Sequence, residues 1–240
     1  MKMFDRSEAP FSYLQAAIVV VLYFIVYFGF GSDIFTAITL FFHGNYTMFM
    51  WIQLLFYALM TAGILALLSP ILTESQINYA RHRKECWIIA LTTILKMYFW
   101  MIVLNLILNS FTGQATSDNQ AEINGALKNI PLVTILLSTV FAPICEEMVF
   151  RGCIYRKLRD NGYWLATIFT SLAFGFVHVS SAFVSGNYKD LLYLITYSAL
   201  GYFLCDAYEK SGSVYTTISM HLLINLVSVI LNILSMRGLL

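Results

Sequence analysis

Apolar stretches of about 20 residues recur along the whole chain, and they restrict its fold more than any other feature of the sequence. A helix of about this length, made mostly of apolar residues, is needed to cross the hydrocarbon core of a bilayer. We therefore predict seven membrane spans, near residues 12–31, 48–70, 86–109, 131–153, 163–182, 190–208 and 214–236. The apolar stretch Ile34 to Phe42 is too short to cross, so we expect an interfacial or re-entrant piece there, which could raise the count to eight.

Composition supports this fold class and excludes several others. Hydrophobic residues make up 59% of the chain and charged residues 11%, whereas a soluble domain is about 25% charged. This excludes a soluble domain, a disordered chain and a nucleic-acid-binding protein. We predict an all-α, polytopic transmembrane helix bundle that forms a single membrane-embedded domain over residues 1–240, with the lipid bilayer around it. The pattern specifies no oligomeric state.

The positions of basic residues predict how the spans face. Nine lie on one side of the predicted membrane and three on the other. The nine are Lys2, Arg6, Arg81, Arg83, Lys84, Arg156, Lys157, Arg159 and Lys210, and the three are Lys128, Lys189 and Arg237. Because cytoplasmic loops are enriched in Lys and Arg, we expect a multi-pass cell-membrane protein with a cytoplasmic N-terminus. The polar segment 110–129 is then expected to be an external loop, since it carries several turn-forming residues.

A few polar residues lie inside the later spans, where an ionisable group costs at least a few kcal/mol. They are Glu146, Glu147 and Arg151 in the fourth span, His178 in the fifth, and His221 and Asn225 in the seventh. Because such groups are expensive, each is a candidate functional residue. We therefore predict that residues 131–236 form the catalytic core of the domain.

Helix geometry predicts which of these side chains meet. Glu147 and Arg151 are four residues apart and share a helix face, whereas Glu146 is turned about 100° away. A turn is expected near Asn161, 15 residues after Glu146 and 17 residues before His178. At about 1.5 Å per residue, the two side chains lie within roughly 3 Å of the same depth. We expect them to face each other across a helical hairpin.

A carboxylate, two imidazoles and a carboxamide in a dry cavity suit the hydrolysis of an amide bond. A carboxylate removed from water is a stronger base, so Glu146 could deprotonate a water that His178 holds. His221 and Asn225, again four residues apart, could stabilise an oxyanion, an effect worth about 2.7–4 kcal/mol per donor. Because water must reach such a site, we expect one cavity that opens on the side of the basic loops.

Other interpretations are open at this point. Glu146, His178 and His221 could instead ligate a divalent metal such as zinc, although no H-E-x-x-H motif supports this. The pairing of Glu147 with Arg151 could be a salt bridge that fixes helix packing. A non-catalytic membrane immunity or regulatory protein that binds a membrane partner could use the same fold without any chemistry at Glu146.

Three ordered patterns resemble the signature of a known family. They are E-E-x-x-x-R at Glu146, Glu147 and Arg151, F-x-x-x-H at Phe174 and His178, and H-x-x-x-N at His221 and Asn225. Their order, and their placement in late spans, resemble the CAAX-protease and bacteriocin-processing family, also called CPBP or Abi. The resemblance covers the 80 residues from Glu146 to Asn225.

The resemblance implies an intramembrane endopeptidase that acts on a peptide or membrane-protein substrate. In that family the eukaryotic member removes the last three residues of prenylated CAAX proteins, and bacterial members are linked to bacteriocin self-immunity and peptide maturation. Members have been described both as metalloproteases and as metal-independent glutamate proteases; we expect no cofactor here. Carried over, the resemblance implies that Glu146 activates water with His178, that His221 and Asn225 form the oxyanion site, and that Glu147, Arg151 and Phe174 support them.

Overall fold

Eleven helices make up residues 9–239, the part of the chain that the computed structural model describes, when a helix that continues through a π or 3₁₀ turn counts as one. No strand occurs within that range. The helices are α1 (Tyr13–Gly29), α2 (Gly31–Phe41), α3 (Tyr46–Leu67), α4 (Ser69–Arg81), α5 (Arg83–Thr112), α6 (Asp118–Asn129), α7 (Pro131–Asn161), α8 (Tyr163–Val179), α9 (Ser181–Ser185), α10 (Asp190–Ser211) and α11 (Val214–Met236). The prediction of an all-α, polytopic helix bundle is confirmed. Lys2 and Arg6, which contributed to the predicted orientation, lie outside the described residues.

Each of the seven predicted spans coincides with a helix, but not every helix reaches spanning length. Five are long and apolar enough to cross a membrane, namely α3, α5, α7, α10 and α11. The pair α1 and α2 meets the same test together and is bent by 53°, so residues 34–42 belong to this bent pair and do not add an eighth span. Helix α8 is apolar but only 17 residues long. The predicted count of seven to eight spans is therefore approximate.

Two polar segments differ from the sequence prediction. Residues 110–129 were expected to form a loop, but α5 continues to Thr112 and α6 occupies most of the remainder. The hydroxyl of Ser117 caps α6 by accepting a hydrogen bond from the backbone N–H of Gln120. Alanine, leucine, glutamate and lysine in the segment favour a helix and outweigh its turn-forming residues. The sequence analysis also missed α4, a polar helix that directly follows α3.

Three connections meet at one end of the bundle, which we call the basic end: α4 to α5, α7 to α8, and α10 to α11. Asn78 of α4 donates to the carbonyl of Gly212 at 2.9 Å, and Arg159 of α7 contacts the carboxylate of Glu209 in α10 at 3.0 Å. Gly162 forms the turn between α7 and α8 with a φ of 124°, a conformation that favours glycine. These contacts fix the ends of α7, α10 and α11 next to one another.

Helix α8 packs closely along α10 through small residues. Gly201 of α10 lies against Ser171 of α8, and a Cβ atom at Gly201 would be only 2.9 Å from the Cα of Ser171. Gly175 of α8 lies equally close to Ser198 of α10. Small residues at such crossings let membrane helices approach until their backbones touch. The close approach brings the backbone of α10 within reach of side chains on α7.

Apolar side chains fill the interior and also cover the outside of the bundle. Phe150 of α7 and Phe174 of α8 are buried in the core, with ring centroids 5.2 Å apart. In contrast, Leu95 and Phe111 of α5 are 70% and 78% exposed. Exposed side chains of this kind are expected where a helix faces lipid.

Candidate active site

The side chains of Glu146, His178 and His221 meet at one point inside the bundle. The Oε2 atom of Glu146 lies 3.9 Å from Nε2 of His178 and 3.9 Å from Nε2 of His221. Both separations are too long for a direct hydrogen bond. Although Glu146 is only 9% exposed, its Oε2 atom has no hydrogen-bond partner among the described residues. Glu146 and His178 thus face each other across the α7–α8 hairpin, as the depth argument predicted.

Each imidazole is held through its other nitrogen. Nδ1 of His178 lies 2.8 Å from the backbone carbonyl oxygen of Phe174, and Nδ1 of His221 lies 2.9 Å from Oε1 of Glu147. Carbonyl and carboxylate oxygens only accept, so each Nδ1 carries the proton and donates it. This orientation directs both Nε2 atoms toward Glu146.

Glu147 connects His221 to Arg151. Its Oε1 atom lies 2.9 Å from Nη1 of Arg151, and both side chains of this ion pair are fully buried. Nη2 of Arg151 donates to the carbonyl of Gly201 at 3.1 Å, and the guanidinium carbon lies 4.6 Å from the ring centroid of Phe174. The predicted pairing of Glu147 with Arg151 is confirmed.

Two aromatic rings contact the His178 imidazole. The ring centroid of Phe174 lies 4.5 Å away, and Tyr197 of α10 stacks on the imidazole at 4.6 Å with an interplanar angle of 23°. The Tyr197 hydroxyl is 2.7 Å from the hydroxyl of Ser117 and accepts from the amide of Asn119 at 3.3 Å. The sequence analysis missed Tyr197, because one tyrosine in a chain with 16% aromatic residues gives no signal.

Asn225 lies one turn beyond His221 on α11 and lines the same cavity. Its Nδ2 group donates to the backbone carbonyl of Ser138 at 2.8 Å. Because a carboxamide carries two N–H donors, one remains for a ligand in the cavity. The structure therefore places Asn225 on the wall of the site, with Glu146, His178 and His221 at its centre.

A cavity of about 880 Å³ surrounds these residues, a volume within the range of small-molecule and peptide pockets. Its walls come from the last part of α1, from α2, from the first halves of α3 and α7, from the last part of α8, from the middle of α5, α10 and α11, and from helix α6. All these parts lie away from the basic end. The expectation that the cavity opens on the side of the basic loops is therefore wrong. The sequence analysis did not anticipate that α6 would form a wall at the opposite end.

The three candidate metal ligands Glu146, His178 and His221 lie farther apart than the ligands of a bound zinc ion. Within residues 9–239, no group of three or more His, Cys, Asp or Glu side chains is arranged to hold a metal ion. Two ligands of a tetrahedral zinc ion, with bonds of about 2.0–2.1 Å, lie about 3.3 Å apart. The distances of 3.9 Å from Glu146 to the two histidines exceed this value. The four cysteines are all buried, and none of them forms a disulfide.

Comparison with known proteins bears on the second half of the chain. Residues 128–227 match the family model described as "Type II CAAX prenyl endopeptidase Rce1-like". Over 123 residues, 51% of this chain and 46% of the relative, the sequence is 29% identical to a Bacillus subtilis (strain 168) protein named "Putative membrane peptidase YdiL". Over 116 residues, 48% of this chain and 41% of the relative, it is 28% identical to "UPF0177 protein YvdC" of Lactococcus lactis. No solved structure gives a significant match.

The matched region spans less than half the length of these curated relatives. Residues 128–227, which the family model matches, contain all seven motif residues from Glu146 to Asn225, together with α7, α8 and the first part of α11. The resemblance inferred from the three motifs is therefore confirmed: residues 128–227 match the Rce1-like family model, which is consistent with the CAAX-protease and bacteriocin-processing family.

Proposed function

We propose that this protein is an intramembrane endopeptidase that hydrolyses peptide bonds with a water molecule activated by Glu146. The observation that carries the proposal is the unpartnered Oε2 atom of Glu146, which faces two imidazole Nε2 atoms at 3.9 Å inside a cavity. A gap of this width suits a bridging water, which would hydrogen-bond to the carboxylate and to an imidazole. The family match to endopeptidases and the name of the Bacillus relative support the same activity.

In the proposed reaction, Glu146 accepts a proton from the water while the water oxygen attacks the scissile carbonyl carbon. The carbonyl oxygen becomes an oxyanion, and the carbon becomes tetrahedral. Glu146 then returns the proton to the amide nitrogen, the carbon–nitrogen bond breaks, and an acid and an amine are released. No further reactant is needed.

His221 and Asn225 are the proposed donors to the oxyanion. The carboxylate of Glu147 at Nδ1 of His221 would stabilise an imidazolium, in the way that the acidic member of a catalytic triad supports its histidine. When His221 has taken up this second proton from solvent before the substrate binds, its Nε2 carries an N–H that can donate to the oxyanion, and the ring keeps that proton through the reaction. The remaining N–H of Asn225 supplies a second donor, and such donors are most effective when they are held in place before the reaction.

His178 is proposed to orient the water. Its Nδ1 proton is donated to the carbonyl of Phe174, which leaves Nε2 as an acceptor for one water proton. Stacking on Tyr197 restricts rotation of the ring. A water held by one acceptor and deprotonated by another has the fixed geometry that efficient attack requires.

We propose further that the reaction is independent of metal, and that the biological role is peptide processing or bacteriocin self-immunity in a bacterial membrane. Metal independence is supported by the wide spacing of the candidate ligands. The bacterial role is supported by the relatives from Bacillus and Lactococcus. The excess of basic residues at the basic end favours a cytoplasmic location for that end and for the N-terminus, and we propose on this ground that the cavity faces the outside of the cell.

This function can be tested by peptide mass spectrometry of cell membranes. The cells produce the wild-type protein, the Glu146→Gln variant or the Glu85→Gln variant. Glu85 is an exposed glutamate near the start of α5 at the basic end, and serves as the matched control. We expect the same product peptides with the wild type and Glu85→Gln, and their loss with Glu146→Gln. Identical peptides from all three proteins, each inserted at equal levels, would favour the non-catalytic binding role instead.

A further inference from the structure

Resting on this proposed activity, we infer that the cavity selects peptide segments that pair an apolar stretch with a nearby positive charge, and that it rejects a free carboxyl terminus close to the scissile bond. The cationic group would be a Lys or Arg side chain, or an N-terminal ammonium. The inference comes from the charges and ring systems on the cavity walls.

The charged groups on the walls are acidic. Glu122 of α6 and Glu146 of α7 line the cavity, together with two histidines, and no Lys or Arg is among the described residues that line it. Two lysines belong to segments near this end of the bundle, but neither neutralises the negative charge of the cavity walls. Lys128 is exposed at the last turn of α6, and Lys189 donates to the carbonyl of Thr112.

Glu122 belongs to a group of three carboxylates. Partial burial raises the pKa of the Glu122 carboxyl, and repulsion from Asp118 and Asp190 raises it further. No described Lys, Arg or His forms a salt bridge with any of the three. Asp118 accepts instead from the amide of Asn187 at 3.0 Å, and Asp190 from the backbone N–H of Asp118 at 2.9 Å. A cation bound beside Glu122 would relieve the repulsion among these groups.

The cavity next to these three acids also contains a second, buried carboxylate. The carboxylate of Glu146 is nine-tenths buried, lines the cavity, and has an unpartnered Oε2 atom. A substrate that enters from α6 therefore meets the carboxylate of Glu122 on its way to Glu146.

Another part of the cavity wall is aromatic. Rings from α1, α2 and α3 line it, namely Tyr23, Tyr27, Phe28, Phe35, Phe49 and Tyr57. Such a wall binds apolar side chains by burying their surface. A substrate with apolar residues near the scissile bond and a cation toward α6 is thus complementary to the aromatic rings and to the carboxylate of Glu122.

A free carboxyl terminus fits this cavity poorly. Cleavage three residues from the end of a chain would hold the terminal carboxylate within about 10 Å of the scissile bond. The carboxylate would then be removed from water near Glu122 and Glu146, with no Lys or Arg among the described residues of the cavity walls. A buried charge without a partner is strongly disfavoured.

Binding of short fluorescent peptides to purified Glu146→Gln protein tests the inference without requiring turnover. All peptides share one apolar centre and a neutral dye. One series carries Lys, Gln or Glu beside the apolar centre. A second pair differs only at the C-terminus, which is either an amide or a free acid. We expect the Lys peptide to bind about tenfold more tightly than the Glu peptide at low salt, with a smaller ratio at high salt. The amidated peptide should bind more tightly than its free acid.

A second substitution in the same background identifies the source of the preference. Glu122→Lys should abolish or reverse the Lys-over-Glu ratio, whereas Glu85→Lys makes the same charge change at the basic end and should leave it unchanged. Equal affinities for all peptides, no binding by any of them, or a ratio that Glu122→Lys does not alter would each overturn the inference. Cleavage by the wild type is measured separately: charge-selective binding without cleavage refutes the proposed activity only, and cleavage without charge preference refutes the inference only.

Discussion

The Nδ1 atom of His221 and the Oε1 atom of Glu147 lie 2.9 Å apart, and the same oxygen also contacts Arg151 at 2.9 Å. Two adjacent glutamates therefore have different surroundings. Glu147 is enclosed between a guanidinium and an imidazole, while the neighbouring carboxylate of Glu146 projects into the cavity with one oxygen unpartnered. The same substitution should lower stability much more at Glu147 than at Glu146.

Glu147→Gln should lower the free energy of unfolding by about 3–5 kcal/mol, because it leaves the buried guanidinium of Arg151 without a countercharge. Unfolding in mixed detergent micelles measures this quantity, with Glu85→Gln as the exposed control. A stability equal to that of the control would show that the ion pair is dispensable.

Glu146→Gln should reduce peptide cleavage by about 10²-fold or more, because the amide keeps the shape of the side chain but cannot accept the water proton. Its free energy of unfolding should stay within about 1 kcal/mol of the wild-type value, since within residues 9–239 this carboxylate makes no ion pair apart from its long contacts of 3.9 Å to the two histidines. Initial rates in proteoliposomes give the first quantity. Cleavage near the wild-type rate would remove Glu146 from the proposed mechanism.

Gly201→Ala should destabilise the protein by about 1–3 kcal/mol, because the new Cβ atom would lie 2.9 Å from the Cα of Ser171 and force α8 and α10 apart. The separation also moves the carbonyl that Arg151 contacts. Gly63→Ala is the matched control, since a Cβ atom there meets nothing within 4 Å. Similar unfolding curves for the two variants would contradict the close crossing.

Exhaustive chelation should leave peptide cleavage unchanged, and metal analysis of the purified protein should find no stoichiometric ion. The reason is the spacing of Glu146 from the two histidines, which is wider than a zinc ion requires. Loss of activity on chelation that zinc alone restores, with about one zinc per chain, would establish the metalloprotease mechanism.

Single cysteines at Ala121 and Asp160 should react with membrane-impermeant reagents from opposite sides of the membrane. Both residues are exposed, one on α6 and the other at the basic end, and the four native cysteines are buried and give little background. We expect labelling of Ala121→Cys in intact cells, and of Asp160→Cys only after the membrane is opened. The reverse pattern would place the cavity on the cytoplasmic side.

The sequence was sufficient to predict the central pair of the site. Glu146 and His178 lie on helices joined by a tight turn at Gly162, so counts of residues convert directly into depths along the hairpin. The pairing of Glu147 with Arg151 followed from helix periodicity in the same way. Predictions of this kind succeed because each depends on one helix or on one short connection.

The surroundings of the site could not be predicted from such local rules. Helix α6 depends on the cap at Ser117, whose hydroxyl also contacts Tyr197, 80 residues along the chain. The direction of the cavity depends on where α6 lies, which the distribution of basic residues does not reveal. Tyr197 and Gly201 are ordinary span residues in sequence, and only the packing of α8 against α10 gives them their contacts.

The short length of α8 has a consequence for the lipid around the protein. Its 17 residues extend about 26 Å, roughly one turn less than the hydrocarbon core of a bilayer. Hydrophobic mismatch of this kind is relieved by local thinning of the bilayer. His178 is the last residue but one of the helix. Thinning of the bilayer beside α8 would therefore bring lipid headgroups and their water closer to the level of the His178 imidazole. A peptide lying at the membrane surface would have less hydrocarbon to cross there than beside the longer helices of the bundle.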